Sequence, residues 1–398
     1  MARINFIVPQ LVADRFSGGI LCAFEYAAGL TKRGHEVTVV PILPSPMPQW
    51  FSKNVGTVIS STPGERTGRA LRTLVREIRS ATTRKSDWVE AIRNSVATFL
   101  LARPGMMNIP LSLGLADWYV SQVAPKADIN IAVSFEAARP TSLLPGRGFY
   151  FLQHFDPYFK AEYPDPVFAE AMARHSYTLG LRLIANSSWL RDRLRSEFGD
   201  IDVEVCPNAI DHSVFHGQVK PLTDSKNVVV ISYGGRNAVW KGFREMAEAM
   251  RIVRNQNPDL NIEWRVYGDA LLPPNNDVAR YTALGFLPPP RLAEEYRKAD
   301  ILLSASWYES FPLFPIEAMA CGLAVITTQY GTEEYAIHGE TAEIVAPQSP
   351  EKIAEGLNRL VTDPIYREKI AVAGNAMSRN FTWERAVVRL ETLISTKC

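Results

Sequence analysis

Residues 301–328 read ILLSASWYESFPLFPIEAMACGLAVITT, and this stretch decides the fold. An apolar run at 301–304 leads through a Pro-rich turn into a short helix, and a second apolar run follows at 324–328. Unbroken apolar runs separated by helices are typical of parallel strands that are buried on both faces of a sheet. The stretch therefore predicts a strand–helix–strand crossover in a doubly wound α/β domain.

The same alternation recurs along most of the chain. In the first half the predicted strands are 4–8, 36–42, 129–135, 149–152, 182–185 and 203–206. In the second half they are 228–232, 262–267, 301–304, 324–328 and 342–345. Because helical patterns separate these runs, the sequence predicts one parallel sheet in each half of the chain. We therefore expect an α/β protein of two doubly wound, Rossmann-like domains that face each other across a cleft.

The chain has 398 residues, which exceeds the size over which a single hydrophobic core keeps growing. We place the boundary in the polar stretch 216–227, so that the domains span 1–216 and 217–380. The first domain carries a helical insertion at about 45–126 that the alternation does not explain. The final segment, 381–398, repeats apolar residues at helical spacing and is a candidate to cross back to the first domain.

Composition excludes several functional classes. The net charge is +1, so no nucleic-acid partner is expected. The mean hydropathy is −0.07 and no apolar run approaches the length of a membrane span, which argues against an integral membrane protein. The apolar run near the amino terminus is too short for a signal peptide, so we expect a cytoplasmic protein. The four cysteines lack metal-binding spacing and are expected to be free thiols.

A basic helix is predicted within the insertion. Arg69, Arg72, Arg76 and Arg79 form one helical stripe, and residues 65–85 carry a net charge of +5. A basic amphipathic helix is suited to an anionic lipid surface, which would place the protein at the inner face of the cytoplasmic membrane. The alternative is a helix that packs on the core and exposes a solvated basic face.

Two acidic residues flank the turn of the opening stretch. Glu309 and Glu317 are separated by seven residues, so their carboxylates can contact opposite ends of one bound molecule, a sugar at one end and a ribose at the other. Ser310 is expected to cap the helix, whose first N–H groups would hold a diphosphate. The alternative is that both are solvated acids, favoured near a helix start by the dipole alone.

Two basic residues are expected at the same sheet edge. The first strand of the second domain ends in Ser232-Tyr-Gly-Gly-Arg236, and Lys241 follows within Trp240-Lys-Gly-Phe. Cations at the carboxyl edge of a parallel sheet can neutralise a departing diphosphate without a metal. Alone they are weak evidence, since an Arg and a Lys at a helix start are common surface residues.

The first domain offers glycines and a histidine. Gly18 and Gly19 open its first helix, where a ligand can approach the backbone. The loop is not a G-x-G-x-x-G motif and no acidic residue follows Pro41, which counts against an NAD-dependent oxidoreductase. Asp200-Ile-Asp202 matches a metal-binding Asp-x-Asp, but its position favours ordinary turn chemistry. His154 ends an apolar strand where a cleft would open.

Several of these segments together resemble glycosyltransferase family 4, retaining enzymes of the GT-B fold. The paired-glutamate run is the most specific of them, and Tyr150–Tyr158 is similar to the corresponding stretch of rhamnosyltransferases in bacterial surface-glycan assembly. The similar segments are Gly34–Val40, Asn186–Leu190, Val205–Asp211, Arg236 with Lys241-Gly242, Gly285-Phe286, and 299–326.

The resemblance implies a role for each matching residue. Arg236 and Lys241 would bind the donor diphosphate, Glu317 the ribose hydroxyls, and Glu309 and His154 the transferred sugar. The backbone around Phe286 would bind the base. The implied catalytic residues are Glu309, His154, Lys241 and Arg236. The implied donor-binding residues are Gly18, Gly19, Gly235, Arg236, Lys241, Phe286, Leu287, Glu309, Ser310, Leu313, Phe314 and Glu317. No metal and no resident cofactor are expected.

The resemblance also implies an activity. It is the metal-independent, retaining transfer of a hexose or deoxyhexose, with rhamnose favoured, from a dTDP, UDP or GDP sugar. The acceptor would be a glycan or a lipid-linked saccharide in surface polysaccharide synthesis. Departures from the common pattern, such as Phe311-Pro312 in place of a glycine, leave the sugar open. The alternatives are a sugar-nucleotide-binding scaffold and an epimerase of the same fold.

Overall fold

A computed structural model describes residues 1–13, 17–60, 109–163, 165–221, 226–235, 238–268 and 279–396. The chain forms two compact units. Unit 1 comprises Met1–Ala185, Asp200–Glu204 and Val387–Cys398. Unit 2 comprises Asn186–Gly199 and Val205–Ala386.

Within the described residues, the sheet of unit 1 has seven strands in the order β3-β2-β1-β4-β5-β6-β7. They are β1 Arg3–Val8, β2 Glu36–Pro41, β3 Thr57–Val58, β4 Ile129–Ala132, β5 Arg147–Leu152, β6 Arg182–Ala185 and β7 Val203–Val205. The pairs from β3 through β6 are parallel. The strand order reverses between β1 and β4, which makes the carboxyl ends of these two strands a place where ligands of doubly wound folds bind.

Four helices precede the strand β6 in the described part of unit 1. They are α1 Gly18–Lys32, α2 Ile109–Val123, α3 Phe135–Ser142 and α4 Pro166–Ser176, with a 3-10 helix at Asp156–Glu162. The Ser17 hydroxyl caps α1 by accepting a hydrogen bond from the N–H of Ile20 at 3.3 Å. No described helix is both long and apolar enough to cross a bilayer.

In the part of unit 2 that the structure describes, the sheet has six strands in the order β10-β9-β8-β11-β12-β13. They are β8 Asn227–Tyr233, β9 Asn261–Tyr267, β10 Thr282–Gly285, β11 Ile301–Leu303, β12 Ala324–Thr327 and β13 Glu343–Ile344. Every pair is parallel. The order reverses between β8 and β11, so this sheet has its own switch point.

In the described part of the chain, seven helices follow strand β6. They are α5 Ser188–Phe198, α6 Phe243–Gln256, α7 Pro289–Lys298, α8 Leu313–Ala320, α9 Pro350–Thr362, α10 Pro364–Ser378 and α11 Trp383–Ser395, with a 3-10 helix at Val239–Lys241. The predicted helical face of the last segment is confirmed, because Ala386, Val387, Leu390, Leu393 and Ile394 are buried, whereas Val388 on the other face is exposed.

The central strands of unit 2 are buried on both faces. Val228 and Val230 pack with Met250 of α6 in one hydrophobic cluster. Ile231 and Leu302 pack with the α8 helix in another. Because alternate side chains of a strand point to opposite faces, two covered faces require an unbroken apolar run, which is the pattern seen in the sequence.

The predicted fold class is confirmed, and each predicted strand overlaps an observed one. The predicted strand 129–135 was too long, because β4 ends at Ala132 and Phe135 begins α3. Strands β3 and β10 were not predicted. Both are edge strands with largely exposed side chains, so they lack the continuous apolar run that marks the central strands. The predicted basic helix at 65–85 lies outside the described residues.

The chain divides between the units in a more interleaved way than the predicted boundary at 216/217. Helix α5 and residues 205–216 cluster with unit 2, and Val387–Cys398 cluster with unit 1. Contacts explain the position of α5. The Glu334 carboxylate accepts a hydrogen bond from the N–H of Ser188 at 2.5 Å, and the rings of Trp189 and Tyr330 lie 6.2 Å apart.

Candidate active site

Several predicted site residues of unit 2 lie near the ends of β8 and β11. A small pocket at this switch point is lined mainly by aromatic and polar side chains. The lining includes Tyr233 at the end of β8, Tyr267 at the end of β9, Lys241 and Phe314. The carboxyl ends of three adjacent strands thus bring together residues that are far apart in the sequence.

Lys241 and Glu309 form an ion pair at this edge. The ammonium of Lys241 donates a hydrogen bond to Oε1 of Glu309, and the hydroxyl of Ser306 donates to the same oxygen at 3.2 Å. The side chains of Lys241 and Glu309 are 17% and 7% exposed, so water screens the pair little. The structure therefore brings together one cation and one acid that the sequence assigned to a single site.

Aromatic rings surround the Lys241 ammonium, a feature that the sequence analysis missed. Its Nζ lies 4.3 Å from the ring centroid of Trp240, 5.4 Å from that of Phe314 and 5.9 Å from that of Tyr233. Such cation–π contacts favour the charged ammonium in a partly dehydrated place. Trp240, the neighbour of Lys241 in the sequence, was the one available sign of such contacts. The sequence does not show that its ring lies close to the ammonium.

The turn before α8 is rigidly held. Tyr335 donates a hydrogen bond from its hydroxyl to the carbonyl oxygen of Pro312 at 2.8 Å. Gly331 has φ of +74°, and a Cβ there would lie 2.5 Å from the carbonyl oxygen of Ser310 and 2.6 Å from that of Glu309. A glycine is required at this position because its backbone lies directly against the turn.

The predicted cap of α8 by Ser310 is wrong. The residue that precedes the helix is Pro312, and no side chain caps it. Ser310 lies two residues earlier and is 2% exposed. In the first turn Pro315 has no N–H, so Leu313 and Phe314 supply the backbone donors that point outward from this helix start.

Glu317 lies in the middle of α8 and is 7% exposed. Its carboxylate has no hydrogen-bond partner within the described ranges. Burial raises its pKa from 4.5 to about 8. Burial also raises the pKa of Tyr267, and the negative charge of Glu317 adds to that rise.

The segment predicted to bind the base follows strand β10. Phe286 is 64% exposed, whereas Leu287 packs against the hydrophobic cluster beneath it. Gly285 makes the turn between strand and loop with φ of +68°. Gly235 lies just beyond the end of β8, and Arg236 falls outside the described residues.

Unit 1 brings Gly19 and His154 together at the edge of its own sheet. A Cβ on Gly19 would lie 3.1 Å from Cβ of Gln153 and 3.9 Å from Nε2 of His154. Gly18 begins α1 and has open space around it. His154 follows β5, and its ring packs edge-on against Phe159 with 5.0 Å between centroids.

Two family profiles match adjoining parts of the chain. Residues 17–214 match the family described as Glycosyltransferase Family 4. Residues 228–363 match the family described as Glycosyl transferases group 1. The chain belongs to the family 4 glycosyltransferases. The first match takes in Gly18, Gly19 and His154, and the second takes in Lys241, Glu309 and Glu317.

This family 4 chain also has curated relatives. The D-inositol 3-phosphate glycosyltransferase of Paenarthrobacter aurescens is 29% identical over 250 residues, which cover 58% of this chain and 61% of the relative. The O-antigen biosynthesis protein RfbC of Myxococcus xanthus is 27% identical over 278 residues, which cover 67% of this chain and 20% of that protein. The matched region thus spans about 60% of the length of the first of these relatives.

A solved structure supports the same fold. Anabaena HepE in complex with UDP and glucose superposes with a TM-score of 0.66 at 17% identity, and the superposition covers 100% of both chains. At this identity the likeness concerns the fold alone. It confirms the GT-B fold predicted for this family 4 chain.

Proposed function

We propose that the protein transfers a hexosyl or deoxyhexosyl group from a nucleotide diphosphate sugar to a carbohydrate acceptor. The observation that carries this proposal is the partly buried ion pair of Lys241 and Glu309. Phe314, from the first turn of α8, lies against the same ammonium. A cation, a carboxylate and outward-pointing N–H groups are thereby available within one small region.

These groups suit the charges that develop during transfer. Breaking the bond between the anomeric carbon and the phosphate leaves positive charge on the sugar and negative charge on the diphosphate. Lys241 and the N–H groups of Leu313 and Phe314 stabilise the diphosphate, because preorganised donors in a partly dry site act more strongly than water. Glu309 accepts hydrogen bonds from the sugar hydroxyls, and Arg236 adds a second cation.

Glu317 is proposed to bind the ribose. A buried carboxylate without a hydrogen-bond donor is unfavourable, and two ribose hydroxyls would supply the missing donors. The exposed ring of Phe286 and the nearby backbone would receive the base. Gly235 and Leu287 are proposed to contact the donor as well, because they lie next to Arg236 and Phe286 in the sequence.

The transfer is proposed to retain the anomeric configuration. The departing phosphate takes the proton of the acceptor hydroxyl on the face that it leaves, so no protein base is needed there. Gly18, Gly19 and His154 keep the roles that the family resemblance implies for them. No metal is required in this scheme, because the cations of the chain neutralise the leaving group.

The nature of the donor is a further part of the proposal. HepE was solved with UDP and glucose, which favours UDP as the first nucleotide to test, with GDP and dTDP beside it. Rhamnose remains the favoured sugar, since Tyr150–Tyr158 resembles the corresponding stretch of rhamnosyltransferases. The name of RfbC supports a glycan or lipid-linked acceptor in surface polysaccharide synthesis. The membrane contact through 65–85 stays a prediction.

Binding and product analysis test the proposal together. Calorimetry with UDP, GDP and dTDP is expected to show one preferred nucleotide, and the matching sugar nucleotides are then assayed with and without saccharide acceptors. A glycosylated acceptor whose anomeric configuration equals that of the donor is the expected product. Binding without turnover would indicate a scaffold, an isomerised sugar without acceptor would indicate an epimerase, and absence of binding to all three nucleotides would overturn the proposal.

A further inference from the structure

The loop that carries Lys241 and the loop that carries Glu309 are joined by contacts outside the ion pair. The N–H of Trp307 donates a hydrogen bond to the carbonyl oxygen of Trp240 at 2.7 Å. The indole N–H of Trp307 donates to Oε1 of Glu245 at 3.1 Å. Trp307 therefore makes one backbone and one side-chain bond to residues on either side of Lys241.

Two packing contacts reinforce these bonds. The rings of Trp240 and Tyr308 stack with 5.9 Å between centroids and 12° between planes. Gly242 adopts φ of +72°, and a Cβ at this position would overlap the carbonyl oxygen of Ala305. The two loops approach so closely that only a glycine fits between them.

The contacts act on the position of Lys241 in particular. Lys241 lies between Trp240 and Gly242 in the sequence, and both neighbours are held by the opposite loop. A lysine side chain has four rotatable bonds, so an ammonium reaches a defined place only when its backbone and surroundings are fixed. The first turn of α6 contains Glu245, where a negative charge is favoured by the helix dipole, so this acceptor is itself well placed.

We infer that Trp307 and Glu245 are positioning residues for the donor diphosphate site. Their hydrogen bond sets the separation between the Lys241 loop and the Glu309 loop, and through it the place of the ammonium that meets the phosphates. The inference rests on the proposed function, because it assigns the residues that support the same Lys241. Neither residue needs to touch the donor.

The test compares nucleotide affinity in two backgrounds. The Trp307→Phe variant keeps an aromatic ring and the backbone bond but loses the indole donor. By calorimetry it should bind the nucleotide preferred among UDP, GDP and dTDP about tenfold more weakly than the wild type, because the Lys241 ammonium is no longer held in place by the opposite loop. In a Lys241→Ala background the same substitution should have little further effect, because residues that act through one group are not additive.

Two other variants separate positioning from general stability. Glu245→Ala should weaken nucleotide binding as much as Trp307→Phe does, and Glu245→Gln should restore most of it because an acceptor oxygen remains. Ser349→Ala removes the hydroxyl that caps α9 through the N–H of Lys352, so it lowers stability without altering the two loops. It should leave nucleotide affinity unchanged.

The outcomes distinguish this inference from the proposed function. If the wild type binds a nucleotide but Trp307→Phe and Glu245→Ala bind it equally well, the inference is overturned and the proposed function stands. The same conclusion follows if the loss caused by Trp307→Phe is undiminished beside Lys241→Ala. If Trp307→Phe does not fold, the Glu245 variants decide the matter. A wild type that binds none of the three nucleotides overturns the proposed function instead.

Discussion

Glu309 and Glu317 belong to one short stretch, are equally buried, and have opposite surroundings. Glu309 accepts hydrogen bonds from the ammonium of Lys241 and from the hydroxyl of Ser306. Glu317 receives no hydrogen bond within the described ranges, and burial raises its pKa to about 8. Each side chain is 7% exposed, so exposure does not explain the difference.

The difference separates a preorganised carboxylate from an unsatisfied one. The charge of Glu309 is already matched, so a ligand there meets a fixed geometry. Glu317 receives no hydrogen bond within the described ranges, so ionising it in the folded chain carries a cost that a hydrogen-bond donor on a ligand would lower. Functional sites often keep such unfavourable groups, because their stabilisation is deferred until the ligand binds.

Lys241→Ala should have the largest effect of these variants, because it removes the cation that is paired with Glu309. It removes one preorganised donor to the diphosphate and leaves the Glu309 carboxylate buried without its cation. We expect the barrier to transfer to rise by about 2–4 kcal/mol, measured as a fall in kcat/KM. The matched control is Lys298→Ala, which removes a lysine paired with Glu295 at the surface, 54% exposed. Near wild-type turnover of the Lys241 variant would refute the assignment.

Glu317→Gln should raise the stability of the protein and lower its affinity for the nucleotide. The variant removes a buried charge, so the free energy of unfolding at pH 8 should rise by on the order of 1–3 kcal/mol. It also weakens the acceptor for the ribose, so nucleotide affinity should fall. Calorimetric titration and thermal unfolding of the same preparation measure both. A variant that is neither more stable nor weaker in binding would contradict the role of Glu317.

The raised pKa of Glu317 predicts the direction in which stability changes with pH. The pKa of Glu317 is higher in the folded state than its ordinary value of 4.5, so the folded state holds the extra proton between about pH 4.5 and 8. The free energy of unfolding should therefore fall as the pH rises through this window. Asp156, whose pKa burial raises to about 7, contributes in the same direction. The difference between wild type and Glu317→Gln isolates the share of Glu317.

Gly331→Ala should disturb the Glu309 side through the backbone. The added Cβ would meet the carbonyl oxygens of Ser310 and Glu309 at 2.5 and 2.6 Å, so the turn must move. We expect a loss of stability of about 1–3 kcal/mol and a fall in kcat/KM. Gly180→Ala is the control, since Gly180 has φ of +78° with no heavy atom nearby and shares only the backbone strain. Equal effects of the two variants on kcat/KM would exclude a role for Gly331 in placing Glu309.

Ser306→Ala should give the smallest effect. It removes one hydrogen bond of 3.2 Å to Glu309 while the Lys241 pair remains. We expect the activation free energy obtained from kcat/KM to rise by about 0.5–1.5 kcal/mol. Ser306→Thr should stay closer to the wild type because it keeps the hydroxyl. A loss as large as that of Lys241→Ala would mean that Ser306 takes part in the chemistry itself.

Most of the fold was predictable from the sequence, because strand burial leaves a local trace. The runs at 228–232 and 301–304 are apolar throughout since both faces of the sheet are covered, and the structure confirms them as β8 and β11. The edge strand β10 left no such trace and was missed. Glu309, Glu317 and Lys241 were predicted as site residues from residue type and position. Trp307, Glu245 and Ser306 were not predicted, because their contacts with that site depend on how the loops pack.

The sequence by itself determined the alternation of strands and helices, the two parallel sheets, and the placing of acids and cations at strand ends. Only the tertiary structure decided which of these groups meet. Strand β8 lies beside β11, so Lys241 reaches Glu309 across 68 residues of chain, whereas Ser310 fails to cap the helix three residues ahead of it. Periodicity is a property of neighbouring residues, but hydrogen bonding and the loss of water around a charge depend on everything that packs against it.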